Sequence, residues 1–187
     1  VRQKNVKNIT LKNILDACGG AIGYWSIGFA LAYGDGGKFV GATTEKFFLN
    51  DYTGGGSYID FFFQWTFAAT AATIVAGTVA ERCKMQAYLF YSVFLTAFVY
   101  PVVVHAIWNS NGFLSAFNDD PLAGVGMIDF AGSGVVHMTG GATAPVGAII
   151  LGPRIGRFYD EDGNALAEPA SFAPHSVALQ VLGTFIL

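Results

Sequence analysis

The chain has 187 residues, of which 53% are hydrophobic, 15% aromatic and only 12% charged, with a mean hydropathy of +0.47. Soluble domains carry about 25% charged residues, so half that load excludes an ordinary aqueous globule. The net charge of -3 comes with no basic patch interleaved with aromatics, which excludes a nucleic-acid partner. The ten basic and thirteen acidic residues lie in short flanks and loops between long uncharged runs, the pattern of an all-α polytopic membrane protein.

Four full spans and one partial span are expected. The first covers about 14–34 and is preceded by Lys4, Lys7 and Lys12. Its one internal charge, Asp16, lies near its start, where a helix N-terminus tolerates an anion. A polar, glycine-rich connection over 35–57 leads to the second span, 58–80, which stops at Glu81-Arg82-Cys83-Lys84. The third covers 86–108, followed by a loop over 109–128. The fourth covers 129–151, and a polar segment over 152–174 contains the turn signal Asp160-Glu161-Asp162-Gly163. A fifth span begins near His175, but the apolar run 177–187 is too short to cross a bilayer. With no initiator Met or signal-peptide pattern at its start and an apolar run cut off at Leu187, the chain reads as a piece of a longer protein.

Lys and Arg set an orientation. Eight lie in the N-terminal flank, the 81–84 turn and the 152–174 loop, against two in the 35–57 and 109–128 loops. The positive-inside rule puts the first group in the cytoplasm and the second outside. Cys18 and Cys83 then both lie towards the cytoplasm, where thiols stay reduced, so no disulfide is expected.

The fourth span carries the most informative residue. Between Asp129 and Arg154 its one strongly polar side chain is His137, eight residues after Asp129. At ~1.5 Å per residue that is roughly 12 Å deep, near the midplane of a ~30 Å hydrocarbon core. An imidazole there marks a functional site or serves as a packing residue bonded to a neighbouring helix. Asp129 itself is suited to cap the helix start and shape the outer mouth. Gly132, Gly134, Gly140, Gly141, Ala144 and Gly147 let another helix or a narrow conduit approach this span.

Aromatics gather above His137. Trp108 ends the third span, and Phe63 and Phe67 are i, i+4 neighbours on one face of the second. Counted from Asp60, Phe67 lies about 10 Å in, close to the depth of His137. Ring faces attract cations by ~0.5–2 kcal/mol, and a neutral imidazole below them can exchange hydrogen bonds without presenting a charge. Taken singly, Trp108 also suits an interface belt, and each Phe suits packing or lipid contact. His105 and His175 do not share the depth of His137, so neither a metal site nor any other cofactor is expected.

The run Asp129-Phe-Ala-Gly-Ser-Gly-Val-Val-His137-Met-Thr-Gly-Gly141 resembles the signature of the Amt/Mep/Rh ammonium transporter family. Supporting pieces are Val1-Arg2-Gln3-Lys4-Asn5, Phe63-Gln64-Trp65-Thr66-Phe67, Val79-Ala80-Glu81-Arg82 and His105-Ala106-Ile107-Trp108. The likeness covers essentially the whole chain and is nearest the plant- and alga-like Amt branch. It implies an eleven-helix homotrimer with a pore in each subunit, built from an inverted five-helix repeat, of which this chain holds helices two to five and the start of six. It implies a plasma-membrane transporter of ammonium or ammonia, with methylammonium as an analogue, and no enzymatic activity. Trp108, Phe63 and the backbone of Ala131 would form the outer recruitment site, Phe67 one ring of the gate, and His137 the first of two pore histidines. The second histidine and second gate Phe would lie on helices absent here. Two alternatives stand beside transport: a non-conducting ammonium sensor or assembly subunit of the same fold, and a haem-binding membrane subunit using His137 with His105 or His175.

Overall fold

The computed structural model describes residues 1–160 and 162–186. Glu161 of the expected turn and Leu187 of the last apolar run lie outside them. Among the described residues the regular structure is helical, apart from three isolated β-bridges in loops. Four helices are long and apolar enough to cross a membrane: α1 (Gln3–Tyr33), α2 (Gly55–Val79), α3 (Met85–Trp108) and α4 (Ser133–Leu151). A shorter apolar helix, α5 (Val177–Ile186), follows a loop. The architecture is that of an all-α polytopic membrane protein.

The first helix is longer than its apolar run. Its 31 residues span about 46 Å, half as long again as a hydrocarbon core. The lysine-bearing segment before residue 14 is thus helix and not an irregular flank. Asp16 accordingly sits in the helix interior and not at a helix start, so the dipole does not explain it. Lys12, Asp16, Gly20 and Gly23 recur at helical spacing on one buried face, which is why apolar periodicity does not reveal that face.

Small residues set the helix spacing. A Cβ added to Gly23 would stand 2.9 Å from the Val93 carbonyl oxygen, and one on Gly28 would stand 2.5 Å from that of Thr96. Helices α1 and α3 therefore touch backbone to backbone, where each widens into a π turn, Tyr24–Gly28 against Leu95–Val99. Gly140 of α4 is held just as closely, since a Cβ there would lie 2.9 Å from the Ala71 carbonyl oxygen of α2. One apolar cluster joins Tyr24, Phe29, Leu95, Tyr100, Val104 and Val135, and a second lies around Val75, Val79 and Tyr88.

Polar knots tie each end of the bundle. The Glu81 carboxylate, its side chain only 1% exposed, receives the Arg2 backbone N–H at 2.9 Å and Nε at 3.1 Å. It also accepts Asn5 Nδ2 at 2.9 Å and Arg154 Nη1 at 3.0 Å. The start of α1, the α2–α3 turn and the segment after α4 meet on this one group. Arg82 adds a bond from Nη1 to the Gly152 carbonyl at 2.9 Å.

The Glu81 knot makes stability depend on pH. Burial alone would raise the Glu81 pKa, but the bonds from Asn5, Arg2 and Arg154 outweigh it and hold the carboxyl down at about 2, from an ordinary 4.5. A depressed carboxylate contributes its full stabilisation above the unfolded pKa and loses it as pH falls through the folded one. The full-length protein should exceed its Glu81→Gln variant in stability by roughly 2–3 kcal/mol at neutral pH. That gap should stay level down to about pH 4.5 and close towards pH 2. Melting curves in detergent across that range measure it, and a gap that ignores pH would refute the assignment.

Candidate functional site

The site is organised by the chain entering α4. The Asp129 carboxylate, 9% exposed, accepts the backbone N–H of Gly132 at 2.8 Å, of Gly134 at 3.1 Å and of Val135 at 2.6 Å. These are the donors that a helix start leaves unpaired, and a carboxylate there also meets the positive end of the dipole. The helix begins at Ser133 and not at Asp129, because a capping side chain must lie outside the turn it caps. Gly132 makes the return possible with φ 82°, a left-handed conformation in which a side chain would be strained.

The same loop shapes the first turn. The Gly132 carbonyl accepts both Val136 N–H at 2.9 Å and His137 N–H at 2.8 Å, opening a π turn over Ser133–Met138. His137 is carried on that turn. Single π turns often mark functional positions, since they re-aim one side chain without ending the helix.

Trp108 is held by this corner. Its indole N–H donates to the Asp129 carbonyl at 3.0 Å, so the end of α3 is pinned to the start of α4. Its ring meets Phe67 edge to face, with centroids 5.7 Å apart, and Phe67 meets Phe63 the same way at 4.9 Å. The three aromatics thus form one continuous row, with Phe63 at its exposed end, 56% accessible. Ala131, also exposed, lies on the loop between Asp129 and Gly132.

His137 is exposed and lines an open cleft of about 390 Å³ with Ala69, Thr70, Thr73 and Ile74 of α2. It faces positions one to two turns beyond Phe67, and not Phe67 itself. Counting inward from Asp60 and Asp129 sets the two residues near one depth, whereas the fold places His137 beside α2 positions beyond Phe67. The cleft partners Thr70 and Ile74 continue the Phe63–Phe67 stripe of α2 at i+3 and i+7 from Phe67. That helical spacing was the signal that could have found them.

The other two histidines are elsewhere. His105 is fully buried, with Nδ1 2.9 Å from the Ala32 carbonyl and Nε2 2.8 Å from that of Gly37, so neither nitrogen is free for iron. His175 follows α4, at the end of the bundle where its backbone N–H meets the Val1 carbonyl at 2.9 Å. Among the described residues no group of His, Cys, Asp and Glu could hold a metal ion. The arrangement offers an aromatic row, then an apolar cleft with a single imidazole. Such a surface can attract a small cation, strip its water and meet it with a hydrogen bond.

The cap has a measurable weight. Asp129→Ala should lower the stability of the full-length protein by on the order of 3 kcal/mol, since it removes the charged acceptor of three backbone donors at once. Asp129→Asn, which keeps one carbonyl acceptor, should fall between. Thermal melting in detergent tests this, and an Asp129→Ala protein that melts with the wild type would count against the cap.

The chain matches the family model described as Ammonium Transporter Family over residues 1–187. It is 50% identical over 192 residues to ammonium transporter 1 member 2 of Arabidopsis thaliana, covering 100% of this chain and 36% of that one. Against ammonium transporter 1 member 1 of Oryza sativa subsp. japonica it is 51% identical, covering 100% of this chain and 37% of the relative. The chain therefore spans little more than a third of the length of these curated relatives. A solved structure described as "Sensor Amt Protein" superposes with a TM-score of 0.78 at 36% identity, over 100% of this chain and 45% of that one. With the family model matched from end to end, helices of spanning length and the Asp129–Gly141 signature, this chain belongs to the ammonium transporter family.

Proposed function

We propose that the full-length protein carries ammonium or ammonia across a bilayer, and that this chain supplies one wall of its pore. The observation that carries the reading is the sequence of surfaces along α2 and the adjoining end of α3. The aromatic row of Phe63, Phe67 and Trp108 leads to the apolar cleft that His137 lines. In this reading Trp108 and Phe63, with the backbone of Ala131, recruit the cation, and Phe67 is one ring of a gate. His137 then offers a hydrogen bond inside the pore, and Asp129 holds the mouth in shape. The exposure of Phe63 and His137 fits a wall whose opposite side comes from the rest of the protein, including a second histidine and a second gate phenylalanine.

The wider assembly follows the same reading: an eleven-helix subunit with an inverted five-helix repeat, a homotrimer, and a plasma-membrane location. The Glu81 end of the bundle faces the cytoplasm, supported by the eight-to-two distribution of Lys and Arg. The likeness to the sensor structure favours a second reading, in which the same pore wall binds ammonium without conducting it.

Uptake separates the two. In cells dependent on the full-length protein, Trp108→Leu should raise the half-saturating methylammonium concentration about five- to thirtyfold, the effect of losing ~1–2 kcal/mol of cation–π attraction. His137→Ala should lower the maximal rate. Uptake indifferent to both changes would defeat the residue assignments, and binding without uptake in the wild type would establish the sensor.

The isolated chain makes a third comparison. With its pore wall open on one side, it should fail to support growth on limiting ammonium while the full-length protein does. Growth rescued by the fragment alone would overturn the half-pore reading.

A further inference from the structure

Asp16 is a buried carboxylate that the pore reading does not use. It sits 1% exposed where α1, α2 and α3 meet. Its Oδ2 accepts the Tyr88 hydroxyl of α3 and, at 3.5 Å, the Thr73 hydroxyl of α2. Its Oδ1 has no hydrogen-bond partner. Ser92 Oγ of α3, fully buried beside the same carboxyl, has none either. A carboxyl at such depth in a membrane protein is costly to keep and needs a reason.

The partners of Asp16 differ in kind from those of the other buried carboxylates. Asp129 is fixed chiefly by three backbone N–H groups, with the Ser133 hydroxyl at 3.4 Å, and Glu81 by two guanidinium groups. N–H groups and guanidinium groups are donors that cannot become acceptors. Asp16 faces only hydroxyls. When it is ionised, Tyr88, Thr73 and Ser92 can all donate to it. When it is protonated, Oδ1–H can donate to Ser92 Oγ, and the hydroxyls rotate to suit. Either state pairs both unpartnered atoms.

No cation locks the ionised form. Lys12, one turn earlier and 1% exposed, gives its ammonium to the Cys83 carbonyl at 2.7 Å. Its Nζ lies 5.2 Å from the centre of the Tyr88 ring. Tyr91, the next phenol along α3, donates to the Ala72 carbonyl at 3.1 Å.

Thr73 connects this site to the cleft. It lines the same cleft as His137 while its hydroxyl points at Asp16. We propose that Asp16 is a proton-binding site set behind the α2 wall and loaded from the His137 cleft through the Thr73 hydroxyl. In the loading step a protonated donor in the cleft, hydronium or ammonium, gives a proton to Thr73 Oγ1. Thr73 passes its own hydroxyl proton to the Asp16 carboxylate. One O–H bond breaks and one forms at Thr73, the carboxylate becomes the acid, and water or ammonia remains in the cleft. Proton binding at Asp16 stands without the transport reading, whereas loading during passage of the substrate rests on it.

Infrared difference spectra of the full-length protein in lipid vesicles, recorded between pH values, test the site directly. A protonated-carboxyl band should appear as pH falls, be absent from Asp16→Asn, and move in frequency in Ser92→Ala, which keeps the carboxyl but removes its partner. Identical spectra for wild type and Asp16→Asn, or a band unmoved by Ser92→Ala, would overturn the inference.

The route is tested by methylammonium uptake against external pH. Asp16→Asn and Thr73→Val should each displace the wild-type profile by about one pH unit, equivalent to ~1.4 kcal/mol between protonation states. Profiles that coincide with the wild type while the infrared band still titrates would overturn loading through Thr73. A wild-type protein that takes up no methylammonium would defeat the transport reading instead and leave Asp16 to the infrared result.

Discussion

The Asp129 carboxylate is the constraint on which the candidate site depends. Three backbone N–H groups converge on it, and they are the donors of the first turn of α4. That anchor secures the left-handed turn at Gly132, whose carbonyl opens the π turn that carries His137. The Asp129 carbonyl also receives the Trp108 indole, so one residue aligns the end of α3 with the start of α4. A charged group at a helix N-terminus is strong enough for this because its partners are fixed dipoles and it meets the positive end of the helix.

Three buried carboxylates show how partner chemistry decides role. Asp129 is held by backbone donors and builds a corner. Glu81 is held by two arginines and an asparagine and ties three segments together at the other end of the bundle. Asp16 is surrounded by hydroxyls that both give and accept, so its charge is not dictated by its neighbours. The same functional group is a rivet in two places and an exchangeable site in the third. Glycines draw α1 and α3 together next to the third site: on the turn after Asp16, a Cβ on Gly19 would stand 2.9 Å from the Leu89 side chain and one on Gly20 3.2 Å from that of Thr96.

Much of this could be read along the chain. Helices of spanning length follow from uncharged runs of the right size, and the capping role of Asp129 follows from a carboxylate just before a small-residue helix. The spacing of Phe63 and Phe67 places them on one face, and the structure stacks them edge to face. Other features resisted. In the sequence Asp16 reads as a tolerated anion at a helix start, because the lysines before it resemble a flank. In the fold, Lys12 is buried with its ammonium on the Cys83 carbonyl, and the helix runs on through it. Counting inward from Asp60 and Asp129 sets His137 level with Phe67, and only the packing of α4 on α2 places it against Thr70, Thr73 and Ile74 instead.

By itself the sequence determined the class of the protein, its family, the number of long apolar helices and the order of its signature residues. Those are local properties of composition and spacing, and they survive any arrangement of the helices. Tertiary structure alone decided that Thr73 joins the His137 cleft to Asp16, that Tyr88 and Ser92 close around that carboxyl, and that Trp108 hangs from the Asp129 carbonyl. Each of these joins residues on different segments, separated by between 21 and 76 positions in the chain. Which faces meet depends on backbone approach at glycines and on π turns, and neither leaves a periodic mark in the sequence. Asp129 and His137 were visible as a motif from the start, and only the folded chain gives that motif its second wall on α2 and a buried carboxyl behind it.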